Sequence, residues 1–212
     1  FTSRDRAISE CGIEARSLIT RAPRFEALLA AHAAAWKRLW QHFDIGFEQL
    51  NGNGETRMIL HLHIFHLLQT TSSHTVNLDV GVPARGWHGE AYRGHIFWDE
   101  LFIFPLLSFH MPEITRSLLM YRYQRLNEAR LAAKDGGYRG ALFPGQSGSN
   151  GREESQVVHL NPQSGRWIPD ETFLQRHVNA AIAFNIWQYC EVTRDSEFLH
   201  FSGAEMFLEI AK

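Results

Sequence analysis

Residues 96–109 read IFWDELFIFPLLSF, an apolar run that is interrupted by Asp99, Glu100 and Pro105. A helix that crosses a membrane needs about 20 consecutive apolar residues with few charges. This run is shorter and contains two acidic residues. It therefore predicts a helix buried inside a globular domain.

Two kinds of helical pattern surround this run. Residues 58–68 are almost wholly apolar, with histidines set among them, whereas Phe25–Phe43 and residues 112–134 carry apolar residues at spacings of three and four. The nearly apolar segments predict inner helices and the amphipathic ones predict outer helices, of which 112–134 is expected to face solvent. A four-helix bundle would instead need one apolar stripe of similar width on every helix. We therefore predict an all-α fold with concentric layers, an α/α toroid.

The C-terminal half continues the pattern after a long interruption. Residues 135–170 are rich in Gly, Ser, Asn and Pro, and only a short hairpin is predicted there, over 157–168. Helical periodicity returns over 172–192 and 197–211. A loop of this length inside a domain is usually functional or disordered. We expect its Gly-rich part to be mobile and Arg152, Glu153 and Glu154 to contact a second sugar or a phosphate, with a plain solvated loop as the alternative.

Charge and cysteine content exclude several classes of protein. The formal net charge is −2, which provides no footprint for nucleic acid or an anionic membrane. The only cysteines, Cys11 and Cys190, lie far apart, so a reduced, cytoplasmic protein without disulfides is expected. His61, His63 and His66 point in different directions on a helix and lack an acidic partner, so packing roles are favoured over a metal site. We expect no metal and no cofactor.

Residues 89–100 combine aromatic, acidic and small residues at the start of the buried helix. The indole of Trp98 could cover the apolar face of a sugar ring, and the carboxylate of Asp99 could accept hydrogen bonds from its hydroxyls. The alternative is a capped core helix in which Trp98 is packing. Asp99 and Glu100 cannot both act on one glycosidic bond, because adjacent helical residues diverge by about 100°.

Four runs together resemble glycoside hydrolase family 65: residues 63–70, 83–86, 89–104 and 175–183. The resemblance covers most of the chain and implies part of an (α/α)6 barrel. It implies that residues 1–53 are linker helices after an N-terminal β-sandwich and that 54–212 form the N-terminal part of the catalytic barrel. The chain is thus expected to be an internal fragment, with the remaining parts of the same enzyme as its partners and a homo-oligomer as the assembly.

The resemblance also implies an activity: inverting phosphorolysis of an α-glucosidic disaccharide of the trehalose or maltose type, giving β-glucose 1-phosphate and glucose. Inorganic phosphate would be the co-substrate. Hydrolysis of the same disaccharides is the alternative, and a non-catalytic sugar-binding or assembly module is the rival from another class. The general acid of the family is a glutamate in a Gly-Pro-Asp-Glu-Tyr-His motif that this chain lacks, so no catalytic residue is assigned and the isolated chain is expected to be inactive.

The substrate-binding residues that the resemblance implies are Trp98, Asp99, Arg85, Gln146 and His177. Trp98 and Asp99 match the pair that holds the transferred glucose ring. The chain departs from the family at Gly145, where the family has tryptophan. Loss of an indole there would reshape one wall of the pocket, and a neutral change in a loop is the alternative.

Overall fold

A computed structural model describes residues 10–45, 54–84, 86 and 92–212. Its contacts divide the chain into two units, Phe1–Leu68 and Gln69–Lys212. In the described part of the chain, no helix has the length and apolar character that crossing a membrane requires. The predicted domain boundary at residue 53 falls outside the described residues.

The first unit is helical. Helix α1 is Cys11–Arg21, α2 is Phe25–Phe43 as predicted, and α3 is Gly54–Thr70, whose last two residues belong to the second unit. Aromatic contacts join α2 to α3: Trp36 lies 5.0 Å from Phe65 and Trp40 lies 5.2 Å from His61, measured between ring centroids. His61 thus packs against an indole, in keeping with the packing role favoured for it. Its Nε2 also lies 3.4 Å from Asp44 Oδ1, so the expectation that it lacks an acidic partner is wrong.

The second unit contains most of the buried core. Its helices are α4 (Glu100–His110), α5 (Pro112–Gln124), α6 (Leu126–Asp135), α7 (His177–Thr193), α8 (Ser196–Phe198) and α9 (Ala204–Ala211). The buried helix expected from residues 96–109 is α4, and its Phe104 and Leu107 are almost completely excluded from solvent. Together with the single hairpin described below, these helices confirm the all-α prediction.

Helix α4 packs against both α5 and α7. A short turn at Met111 reverses the chain between α4 and α5, so these two helices are antiparallel. Helices α4 and α7 begin side by side, because the Trp98 and His177 rings are in contact. Two packed helices whose first turns lie together run in the same direction, as neighbouring inner helices of a toroid do.

The predicted amphipathic helix over residues 112–134 is wrong in two respects. The helix ends at Gln124, and α6 starts at Leu126 after a break at Arg125, whose φ of −104° and ψ of 11° are not helical. Moreover, Arg122 and Arg125 do not face solvent, since both are almost fully buried. These two arginines therefore do not form a charged outer face; they hold other segments of the second unit in place.

The loop between α6 and α7 contains the predicted hairpin. Strand β1 (Val158–Asn161) pairs antiparallel with β2 (Arg166–Pro169), and Gly165 closes the turn with a φ of +64°. The chain end is less regular than predicted, because a π-helical turn at Leu199–Gly203 separates α8 from α9.

The two inner helices also present apolar side chains to solvent. Phe102 and Phe109 of α4 are 70% and 72% exposed, and Trp187 of α7 is 53% exposed. An incomplete toroid leaves an apolar face of this kind on its inner helices. Larger patches of this sort usually mark a surface that another segment or molecule covers.

Candidate functional site

The predicted glucose-holding pair lies at the N-terminal end of α4. Asp99 is the N-cap residue of α4, but its side chain does not cap the helix. Among the described residues, no side chain pairs with its half-buried carboxylate. Burial raises the pKa of Asp99 above the ordinary value of 3.8, while its own backbone N–H opposes that rise.

Trp98 and His177 form the second part of this corner. Their ring centroids lie 5.7 Å apart in an edge-to-face arrangement, and Trp98 also contacts Phe102 at 5.4 Å. His177 is the first residue of α7. The corner thus places an indole, a carboxylate and an imidazole beside the first turns of two helices, where unpaired N–H groups favour negative charge.

A buried ion pair lies directly behind Trp98 and Asp99. Arg122 Nη2 donates to Glu100 Oε2 at 3.0 Å and to the Phe97 carbonyl oxygen at 3.1 Å. Burial raises the pKa of Glu100, and the positive charge of Arg122 opposes this rise. Sequence reasoning missed this pair. A signal was available, because Arg122 follows Leu118 and Leu119 at the spacing that places all three on one helical face.

Much of the loop after α6 is built into the core, whereas Ser149 and Asn150, within the Gly-rich part that was expected to be mobile, are exposed. The amides of three successive residues donate to three helices: Ala141 to Glu209 O of α9, Leu142 to Ala129 O of α6, and Phe143 to Asn179 Oδ1 of α7. Residues 143–148 are all buried. This segment cannot move without breaking hydrogen bonds to the helices around it.

The same loop is paired with the segment that leads into Trp98. Ser147 and Ile96 exchange two backbone hydrogen bonds, of 2.8 and 3.0 Å. The Tyr121 hydroxyl of α5 lies 3.0 Å from Ser147 Oγ and donates to the Gly148 carbonyl at 2.9 Å. The loop and the segment before Trp98 are therefore paired with each other, and the loop is hydrogen-bonded to α5.

Gln146 lies next to this pairing and is almost fully buried. Its amide nitrogen lies 2.6 Å from His95 Nδ1, and it approaches the Tyr92 carbonyl at 3.4 Å. His95 was not among the predicted site residues. Its position within the aromatic cluster at residues 89–100 was the only sequence signal for it.

The expected ligand role of Glu153 is not supported. Its carboxylate accepts hydrogen bonds from the backbone amides of Gly145 at 2.6 Å, Gln146 at 3.1 Å and Ser155 at 3.1 Å. Three amide donors occupy the oxygens that a sugar or phosphate would have to reach. Glu153 therefore shapes the loop from within.

A cavity of about 400 Å³ with polar residues in its lining opens beside Gln146. Its lining comprises a guanidinium, a carboxylate, two amides and three hydroxyl groups: Tyr92, Arg93, Gln146, Ser155, Gln156, Asp170 and Thr172. Asp170 is held ionised, since hydrogen bonds from Thr172 and Gln156 keep its pKa below the ordinary value. Mixed donors and acceptors around a space of this size suit a hydroxyl-rich ligand such as a monosaccharide unit.

The structure thus brings four of the five predicted residues to one region. Trp98, Asp99 and His177 form the corner, and Gln146 adjoins it through the pairing of Ser147 with Ile96. Arg85 lies outside the described residues, as do residues 89–91 of the aromatic cluster. Within the part of the chain that the structure describes, no three His, Cys, Asp or Glu side chains are placed to hold a metal ion.

Comparisons with known proteins match most of the chain. The model of the glycosyl hydrolase family 65 central catalytic domain matches residues 61–212. An uncharacterized glycosyl hydrolase of Mycobacterium tuberculosis is 51% identical over the whole chain, which spans 16% of that protein. Trehalose 6-phosphate phosphorylase of Lactococcus lactis is 42% identical over 84% of the chain, equal to 23% of its own length.

A solved structure from the human microbiome, assigned as a kojibiose phosphorylase, superposes with a TM-score of 0.57. The two chains are 29% identical, and the superposition covers 70% of this chain and 20% of the other. The chain is thus similar to about a fifth of each of these larger proteins. With the parallel inner helices, these matches confirm the predicted fold class, part of an (α/α)6 barrel.

Proposed function

Because the chain belongs to glycosyl hydrolase family 65, we propose that the protein containing it cleaves an α-glucosidic disaccharide with inorganic phosphate and inverts the anomeric configuration. The products would be β-glucose 1-phosphate and the second sugar. The relatives support the class of reaction, since two of those compared are phosphorylases of trehalose 6-phosphate and of kojibiose. The trehalose or maltose type predicted from the sequence remains part of this proposal, and kojibiose and trehalose 6-phosphate join it.

The observation that carries the proposal is the corner formed by Trp98, Asp99 and His177. The Asp99 carboxylate has no side-chain partner among the described residues and lies in a partly desolvated position beside an indole. An ionised acceptor in such surroundings binds a pair of sugar hydroxyls more strongly than it would in water. We assign this corner to the glucose unit that is transferred.

The cavity beside Gln146 is the proposed place for the second sugar. Gln146 lines this cavity, and the next residue, Ser147, pairs with Ile96, which lies two positions before Trp98. Gly145 does not line the cavity: a Cβ at Gly145 would already lie 3.4 Å from Glu153 Oε2 and 3.6 Å from the Thr172 carbonyl oxygen, so the missing indole leaves no added space there.

The reaction follows from the geometry of inversion. A phosphate oxygen attacks the anomeric carbon from the face opposite the glycosidic oxygen, the bond from carbon to that oxygen breaks, and a general acid protonates the departing oxygen. We propose that this acid is a glutamate outside the present chain. The chain's own residues would bind and orient the disaccharide, so the isolated chain should not turn it over.

We further propose that the exposed apolar side chains of α4 and α7 are covered by the remaining helices of the same protein. Phe102, Phe109 and Trp187 occupy the two helices that carry the glucose corner. Covering them would also exclude water from the corner, which strengthens its polar contacts.

The test uses the intact protein with trehalose, trehalose 6-phosphate, kojibiose and maltose, each with and without phosphate. We expect phosphate-dependent release of β-glucose 1-phosphate from one of them, and a strong loss of this activity in Asp99→Asn. Release of free glucose at the same rate without phosphate would instead identify a hydrolase, the alternative suggested by the name of the M. tuberculosis relative. No turnover of any α-glucosidic disaccharide would leave only a non-catalytic sugar-binding or assembly module.

A further inference from the structure

The buried side chain of Arg122 contacts the residues on both sides of Trp98 and Asp99. One nitrogen of its guanidinium holds both the Phe97 carbonyl oxygen and the Glu100 carboxylate. These two residues flank Trp98 and Asp99 directly in the sequence. A single group on α5 therefore fixes the chain on both sides of the glucose corner.

We propose that Arg122 is a positioning residue that sets the orientation of Trp98 and Asp99 toward the sugar, with Glu100 as its partner. This inference rests on the proposed function. It gives the outer helix α5 a role in sugar binding, although α5 contributes no side chain to the glucose corner itself.

The energetic setting argues against a purely structural role. Arg122 is 2% exposed, and among the described residues its Nε and Nη1 atoms have no hydrogen-bond partner. A buried ion pair with incomplete hydrogen bonding is often no more stable than well-packed apolar residues of the same volume. Burial also raises the pKa of Glu100, so the environment disfavours the charge that the pair depends on. We infer that the pair instead fixes the orientation of Trp98 and Asp99.

Tyr121, the residue before Arg122 in α5, holds the loop in place in the same way. Tyr121 donates to the Gly148 carbonyl and contacts Ser147 Oγ, so it holds the other wall of the site. Two consecutive residues of α5 thus fasten the two segments whose pairing joins Gln146 to the glucose corner. The arrangement gives the corner a support that is independent of the loop.

The experiment replaces the pair by apolar residues of similar size, Arg122→Met with Glu100→Leu, in the intact protein. Melting temperature, kcat, KM and a crystal structure of the double variant are measured. The control is Arg130→Met, which breaks an ion pair with Glu205 between α6 and α9. We expect the double variant to melt near the parent, its Trp98 and Asp99 to shift by more than about 0.5 Å, and kcat/KM to fall by about 10- to 100-fold. The control should keep the parental kcat/KM.

An unmoved Trp98–Asp99 segment or parental kinetics in the folded double variant overturns the proposal. If the double variant does not fold, Arg122→Lys decides: it keeps the charge, but the shorter side chain ends before the position of Nη2 and cannot hold both the Phe97 carbonyl and the Glu100 carboxylate, so kcat/KM should fall while the melting temperature holds. Parental kcat/KM in Arg122→Lys overturns the proposal as well. If the parent turns over no disaccharide, the proposed function has failed, and the position of Trp98 and Asp99 in the variant structures alone decides whether Arg122 orients them.

Discussion

Gly140 and Gly137 form a matched pair that tests how the loop is attached to the second unit. Both have a φ of +78°, a conformation that side chains rarely adopt. A Cβ at Gly137 would meet nothing within 4 Å, whereas one at Gly140 would come within 2.1 Å of the Glu209 carbonyl oxygen. Alanine at the two positions therefore causes the same backbone strain, and only one of the two adds a collision.

The free-energy cost of each substitution follows from this geometry. An alanine with positive φ costs about 1–2 kcal/mol, less about 0.4–1 kcal/mol because alanine also restricts the unfolded chain, so Gly137→Ala should cost about 1 kcal/mol. In Gly140→Ala, the Glu209 carbonyl must retreat by about 1 Å to restore an ordinary contact distance. That movement breaks the 2.9 Å bond from the buried amide of Ala141, which adds about 1–3 kcal/mol.

Hydrogen exchange at the amides of Ala141, Leu142 and Phe143 in the intact protein measures the difference, together with thermal unfolding of the same variants. Gly140→Ala should accelerate exchange at Ala141 most, and should lower the free energy of opening by about 1–3 kcal/mol more than Gly137→Ala. Equal losses in the two variants would show that the Gly140–Glu209 contact does not fasten the loop, and would refute the reasoning.

Three further predictions concern the site and its surroundings. Asp99→Asn should lower kcat/KM for the disaccharide by about 10- to 150-fold, because a hydrogen bond to a charged group is worth about 1.5–3 kcal/mol. Since burial raises the pKa of Asp99, sugar affinity in the parent should be lost as the pH falls through a value above 3.8, and a KM that is constant across that range would contradict this role. For Asp195, burial raises the pKa, but the Phe198 amide, the Tyr189 hydroxyl and Arg116 outweigh it and hold the pKa below 3.8. Its contribution to stability is thus present above 3.8 and lost as the pH falls through the folded value; Asp195→Asn should cost about 1 kcal/mol at neutral pH and flatten that acid loss in melting curves. Gly145→Ala should leave the melting temperature nearly unchanged, because its Cβ would lie 3.4 Å or more from its neighbours, whereas the indole of Gly145→Trp would have to displace Glu153 or the Thr172 backbone and should lower the melting temperature.

The sequence was sufficient for the features that depend on local pattern. The apolar run at residues 96–109 predicted the buried helix α4, and the turn residues at 161–165, which end in Gly165, predicted the hairpin over 157–168. Both follow from periodicity and turn chemistry, which act over a few residues. The relation of Trp98 and Asp99 to a sugar came from the family resemblance, because indole and carboxylate at a helix start are equally compatible with packing.

The features that the sequence did not reveal depend on distant partners. Arg122 and Arg125 were placed on a solvent face because arginine is usually exposed, yet Glu100 and Asp79 lie within hydrogen-bond distance of them and make burial tolerable. Glu153 was read as a ligand contact because a charged residue follows a Gly-rich segment. Only the folded loop shows that the amides of Gly145 and Gln146 already use that carboxylate.

The link between Arg122 and Glu100 has a consequence for how the protein is made. The two residues are 22 positions apart and belong to the antiparallel pair α4–α5, so the contact closes a short loop of chain. Contacts of low sequence separation form early and cost little loop-closure entropy. The direction of Trp98 and Asp99 can therefore be set as soon as α5 has left the ribosome, before α7 and its His177 have been synthesised. Later helices would then assemble around a glucose corner whose main support is already in place, which favours a single arrangement of the site over alternatives during synthesis.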